Sequence, residues 1–155
     1  MGQGAPELPR DRVHRYWKTY LACAVGAQAC REGYSTLYFY APKFFRTLES
    51  ARADGSLISL LKRLARAPLI IIDDLGIASV TGKLYREFLE VLDDRQGQGA
   101  TLITSQFPVS QWHEIIADAT VADAILDRLV HNAYRIELKG ESMRKDKTPP
   151  TEHEN

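Results

Sequence analysis

The sequence has little cysteine, no net charge and no apolar run long enough to cross a membrane. Cys23 and Cys30 are the only cysteines in 155 residues, so no disulfide framework supports the fold. Seven residues apart on an expected helix, they share a face, lie too far apart to bridge, and read as buried thiols. Lys plus Arg total 20, as do Asp plus Glu; there is no global basic field for nucleic acid, and only a local patch could serve one. The absence of a signal h-region, a lipidation motif and a transmembrane run leaves the cytoplasm as the expected compartment, with no membrane partner. No internal repeat or domain linker breaks the chain, whose length suffices for one domain with a core.

Hydrophobic patterning organises what is present. Residues 1–15 are rich in Gly and Pro and then basic, and read as irregular. Residues 16–140 read as the folded unit and 141–155 as a charged tail. A helix is expected from Trp17 to Glu32, with Leu21, Val25 and Gln28 on one face, Ala22, Ala29 and Cys30 packing closely, and Gly33 ending it. The β-branched and aromatic run at 35–40 predicts a strand. Pro42 opens a helix that Gly55 breaks, and a second helix spans 57–67. Strands are expected at 69–73, 100–105 and 134–138, with helices from Gly82 to about Gln96 (capped by Thr81), near 111–115 and from about 119 to 130. Such alternation implies an α/β fold: a parallel sheet with helices on both faces. The first three strands should be contiguous in the order 35–40, 69–73, 100–105.

The stretch Leu69-Ile70-Ile71-Ile72-Asp73-Asp74-Leu75-Gly76 is the focus. Four aliphatics fit a strand buried on both faces, and two carboxylates stand at its carboxyl end, where open parallel sheets bind ligands. An unpaired buried charge is too costly for a core position. A Mg²⁺ ion carried by nucleotide phosphate would take such carboxylates; a solvated acidic turn is the alternative. Thr104, Ser105 and Gln106 end the next strand, where they could hold a water near a phosphate or simply cap the strand. Arg128, between apolar Ile125 and Leu129, could reach a neighbouring subunit's phosphate or form a surface pair with Asp127. Arg144 could be a second phosphate contact or a solvated tail residue.

From about Lys18 to Lys145 the chain resembles the IstB-like transposition helper ATPases, members of the AAA+ class related to the DnaC helicase loader. The resemblance is carried by LIIIDDLG, YLACAVGAQACREGYSTLYFY, EFLEVLDDRQGQGATLITSQFPVSQWHEII and DATVADAILDRLVHNAYRIELKGESMRK. It implies that Asp73 holds Mg²⁺ through water and that Asp74 helps polarise the attacking water. It makes Thr104, Ser105 and Gln106 the sensor-1 segment, Arg128 an arginine finger and Arg144 a second sensor. It also implies ATP and Mg²⁺ as cofactors. The implied partners are a transposase, double-stranded DNA, and either further copies of the chain or intact IstB-like subunits.

One departure is large. The family's P-loop, G-x-x-x-x-G-K-[ST], aligns with residues 12–19. Lys18 and Thr19 match its last two positions and would touch nucleotide, but Arg12 and Trp17 replace the two glycines whose small size admits phosphate to the backbone. Trp17 would fill the phosphate space. The aliphatic strand that should precede the loop is missing. The expected fold is therefore a P-loop NTPase sheet without its first strand and P-loop, and strand 134–138 should lie across a gap. The expected function is that of a carboxy-terminal piece of an IstB-like ATPase with impaired ATP binding and hydrolysis; a non-catalytic interaction subunit and a functionless relic are the alternatives. A frameshift or a misplaced start would account for the loss, which the gene's nucleotide sequence decides.

Overall fold

The computed structural model describes residues 10–76, 80–131 and 133–138, with side chains from residue 16 onward. Helix α1 (Arg10–Arg31) leads into β1 (Thr36–Tyr40), followed by α2 (Ala41–Asp54), α3 (Leu57–Arg66), β2 (Leu69–Leu75), α4 (Gly82–Arg95) and β3 (Ala100–Ser105). A 3₁₀ turn (Val109–Gln111), the short α5 (Trp112–Ile115) and α6 (Ala119–Val130) complete the described elements. The strands form one parallel sheet in the order β1-β2-β3, as expected from the alternation of elements.

Strand β2 is central, and every one of its residues is buried. Because side chains alternate across a strand, its aliphatics feed two layers. Ile70 and Ile72 face a large core built from α2, α3, α4 and α6, in which Phe44, Leu48, Phe88 and Ile125 are essentially inaccessible. Phe44 and Phe45 meet Phe88 edge-to-face at centroid distances of 5.9 and 5.8 Å, and each such pair contributes about 0.5–1.5 kcal/mol beyond burial. Leu69 and Ile71 face α1 through Ala22, with Ala29 and Leu102 packed alongside. A Cβ at Gly26 would lie 2.8 Å from the Ile71 side chain; its absence lets α1 lie close on the sheet. Gly33, at φ 89°, closes α1 with the paired bonds Tyr34 N–H to Ala29 carbonyl and Gly33 N–H to Cys30 carbonyl, a Schellman end.

The ends of β2 and β3 are tied by Arg95 at the close of α4. Its buried guanidinium donates to the carbonyls of Leu64, Ala67 and Ala100 and to Thr101 Oγ1. A buried charge is tolerable when its donors are satisfied in this way. Nearby in the helical layer, buried Glu87 is paired with Arg52.

Several sequence expectations are corrected. Helix α1 begins at Arg10, so residues 10–15 are helical, while residues 1–9 lie outside the described part, as does the tail from residue 139. Among the described side chains of α1, a narrow strip of Lys18, Thr19, Ala22, Gly26 and Ala29 faces the sheet. Leu21, Val25 and both cysteines are therefore exposed rather than packed. Thr81 occupies the N-cap of α4 without a side-chain capping bond; Asp118 is the residue that caps through its side chain, accepting from the Val121 N–H at the start of α6. The strand expected at 134–138 does not form. A strand exists only beside a neighbour, and no fourth strand lies next to β3 among the described residues.

Candidate functional site

The carboxyl end of β2 carries Asp73 and Asp74, each 3 % exposed. Both are buried, contrary to the argument that acids there lie outside the core, because hydroxyl and amide donors meet the desolvation cost. Asp73 Oδ2 accepts from Thr19 Oγ1 at 2.7 Å and from the Tyr38 phenol at 2.8 Å. Its other oxygen accepts from Thr104 Oγ1 at 2.5 Å. One carboxylate therefore joins α1, β1, β2 and β3.

Backbone irregularity aims the second acid. The register of β2 against β3 shifts between Ile72 and Leu75, and Asp74 has φ 68°, a left-handed conformation that Asp adopts more readily than most residues. Such a bulge re-aims side chains at a strand end. Thr104 Oγ1 accepts from the Asp74 N–H at 2.9 Å, while the Gln106 side-chain amide donates to Asp74 Oδ1 at 3.2 Å. Thr104 thus serves both acids at once, as donor to one and acceptor for the backbone of the other.

Lys18, one residue before Thr19, donates to the Ser105 carbonyl at 2.6 Å. Helix α1 therefore brings Lys18 and Thr19 to the strand ends, with Gly26 setting the separation. Residues 12–17 belong to the same helix, so the amides of its interior are spent on helical bonds and cannot wrap an anion. Trp17 is 61 % exposed and meets Tyr20 edge-on. The helix itself, rather than the indole, stands where a loop was expected.

The remaining predicted residues lie elsewhere or do other work. The Ser105 hydroxyl donates to the Leu75 carbonyl and accepts from the Phe107 N–H, so it serves backbone rather than the carboxylates. Arg128 is held by Asp93 of α4 at 2.5 Å, with Asp127 3.6 Å away; it pairs within its own chain and does not join the acidic cluster. Arg144 lies outside the described residues. Tyr38 was missed by sequence reasoning. Burial, its bond to Asp73 and the acids' charge raise its phenol pKa well above the ordinary value. Strand alternation carried the signal: Tyr38 pairs in register with Ile71, two before Asp73, and so shares the α1 face.

The described residues form a three-stranded parallel sheet with paired acids at the end of its central strand and helices on both faces, and the solved structures it resembles place this arrangement in the P-loop AAA+ fold class. The solved structure of DnaI superposes with a TM-score of 0.61 and 26 % identity, covering 72 % of this chain and 61 % of that one. The replication initiator DnaA, bound to AMPPCP and single-stranded DNA, has the same fold: TM-score 0.61, 19 % identity, covering 70 % of this chain and 34 % of that one.

Within that class the chain belongs to the IstB-like ATP binding protein family, whose model matches residues 16–149. A putative insertion sequence ATP-binding protein, y4uH, of Sinorhizobium fredii is 52 % identical over 132 residues, 85 % of this chain and 53 % of that protein. The putative ATP-binding protein of insertion sequence IS21 in Pseudomonas aeruginosa is 32 % identical over 127 residues, 82 % of this chain and 48 % of that protein. The chain spans about half the length of the curated relatives it matches.

Proposed function

We propose that this chain carries the acidic, water-positioning half of an ATP site that serves transposition of an insertion sequence, and that it hydrolyses nothing alone. The observation that carries this reading is Asp73 joined at once to Thr19 of α1 and Thr104 of β3. That junction places a carboxylate and a hydroxyl together at the sheet edge where ligands bind.

The donor chemistry fits Mg²⁺, a hard cation that takes oxygen ligands and commonly one or two carboxylates plus phosphate oxygens. Asp73 would hold it, with Thr19 beside it. When bound, the ion would neutralise charge developing on the phosphate oxygens. Asp73 itself is oriented by three hydroxyls, so its position is fixed before any ligand arrives. Asp74, steadied by Gln106 and Thr104, would accept a hydrogen bond from the attacking water. The surroundings do not fit the triphosphate equally well. A cradle needs free backbone amides, and helix α1 has none to offer at residues 14–17. We read this as the reason for negligible hydrolysis.

A second reading, carried by the family resemblance, is a non-catalytic subunit that docks on intact family members, in which Arg128 would leave Asp93 to act as a finger. An arginine finger acts on the nucleotide of the neighbouring subunit and needs no nucleotide of its own. Titrating this chain into a full-length family member with DNA and ATP tests both readings. We expect partial inhibition of DNA-stimulated turnover, with the finger-dependent part of the remainder lost in Arg128→Ala. Unchanged turnover without co-migration in light scattering would remove the subunit reading. Robust turnover by this chain alone, abolished by Asp73→Ala, would remove the claim that it hydrolyses nothing.

A further inference from the structure

Three hydroxyls are seated on Asp73, and the sequence pointed to only two of their owners. Thr19 and Thr104 were expected at the site; the third hydroxyl is the Tyr38 phenol. Leu37 and Phe39 enter the large core, so alternation turns Tyr38 to the α1 face of the sheet. Tyr40 is in register with Asp73, yet Tyr38, in register with Ile71, is the residue whose phenol reaches the acid. Tyr38 is 45 % exposed and Asp73 only 3 %. The phenol is thus a partly exposed group on a carboxylate that solvent barely reaches.

The lone pairs of that carboxylate are nearly spent. A carboxylate offers about four acceptor positions, two on each oxygen. Oδ2 accepts from both Thr19 Oγ1 and the Tyr38 phenol, and Oδ1 accepts from Thr104 Oγ1. Chelation of a cation by both oxygens needs both to be free, and Oδ2 is full. Direct coordination through Oδ2 would strand a hydroxyl that now has a partner. Among the described residues no cluster of three or more Asp, Glu, His or Cys side chains could supply further direct ligands. Contact through a water of the cation's own shell displaces nothing. Mg²⁺ dehydrates reluctantly and keeps several waters, so this arrangement suits it.

We propose that Tyr38 is a specificity-determining residue: its phenol, seated on Asp73 Oδ2, bars direct coordination of a divalent cation and leaves contact through water. The proposal rests on the reading of Asp73 as the carboxylate that serves the cation. Tyr38 acts through Asp73 and is therefore a positioning residue.

Titration of Mn²⁺ alone into the chain, with free Mn²⁺ read by electron paramagnetic resonance, tests it. Mn²⁺ takes carboxylate and water oxygens, as Mg²⁺ does. Tyr38→Phe keeps the ring and frees one position on Oδ2. Mn²⁺ should then bind roughly tenfold more tightly than to the unsubstituted chain, the scale on which outer partners tune a metal site. Tyr38→Leu, which also lacks the hydroxyl, should act in the same direction. Adding Asp73→Asn to Tyr38→Phe should return the affinity to its original value or below. Removing a tyrosine with a merely structural role would leave Mn²⁺ affinity unchanged or lower it, and either result overturns the proposal. So does a gain that survives Asp73→Asn. The reading beneath it fails separately: in a chain given a P-loop, Mg-ATP turnover indifferent to Asp73→Asn would remove that reading and the proposal together.

Discussion

The carboxyl edge of β2 and the amino-terminal half of α1 meet at Thr19, and they are built to opposite standards. At the strand edge, two buried acids are held by side chains of α1, β1 and β3 and by Gln106 just beyond β3, and Thr104 serves both. On α1 before Thr19, the chain is regular helix with exposed aromatic rings. The edge has the dense, satisfied polar network of a positioned site. The helix has a backbone already committed to itself. The difference separates two requirements of a nucleotide site. Carboxylates can be positioned by hydroxyls on a sheet, whereas phosphate must be wrapped by a backbone that has left the helix free.

The comparison can be broken most severely by supplying what the helix lacks. Replacing the chain before Lys18 with an aliphatic strand and a G-x-x-x-x-G loop should create measurable ATP turnover. In that background Asp74→Asn should reduce it by about 100-fold or more, the range of a positioned proton acceptor. A coupled phosphate-release assay reads both changes. Next in size is Asp73→Ala, which strands the Thr19, Tyr38 and Thr104 hydroxyls; chemical denaturation should show a loss of about 2–3 kcal/mol.

Tyr38→Phe sharpens the same point on a smaller scale. It removes one of three donors to Asp73 and should cost about 0.5–1 kcal/mol. The pH dependence follows from the raised phenol pKa. The folded chain holds the proton more tightly than the unfolded chain, so this contribution is complete below the ordinary value of 10.0 and falls as pH rises through the higher folded value. Tyr38→Phe should flatten that alkaline decline. At the amino-terminal end of the comparison, Trp17→Ala should change stability by no more than about 0.5 kcal/mol, as expected of an exposed side chain. Cys23 and Cys30 should react with a thiol reagent in the folded chain without prior unfolding.

Much of the architecture was legible because the apolar runs are strongly patterned. The buried run at 69–72 and the uncharged run at 100–105 predicted the centre and edge of the sheet, and Gly33 and Gly55 predicted two helix ends. Helix α1 was harder to read. Its Ala and Gly residues make the packed strip, so larger apolar residues such as Leu21 and Val25 misled by hydrophobicity alone. The strand at 134–138 has the right alternation, but alternation cannot supply a neighbour. At the site, the positions of Asp73, Asp74, Thr104 and Gln106 followed from strand ends, and Lys18 and Thr19 from the family's motif. Tyr38 required the register of β1 on β2, which depends on pairing across 35 residues. Ser105 shows the reverse limit: a polar residue at a strand end can turn to backbone as readily as to a ligand.

Calorimetric titration of Mg-ATP into the chain, beside Asp73→Ala, tests the central claim most directly. The account predicts at most weak binding, with Kd no tighter than about 1 mM, because the acidic edge is present and the phosphate cradle is not. Saturable binding at about 1 μM that disappears in Asp73→Ala would contradict it, since a helix at residues 10–31 could not then be the structure that receives the nucleotide.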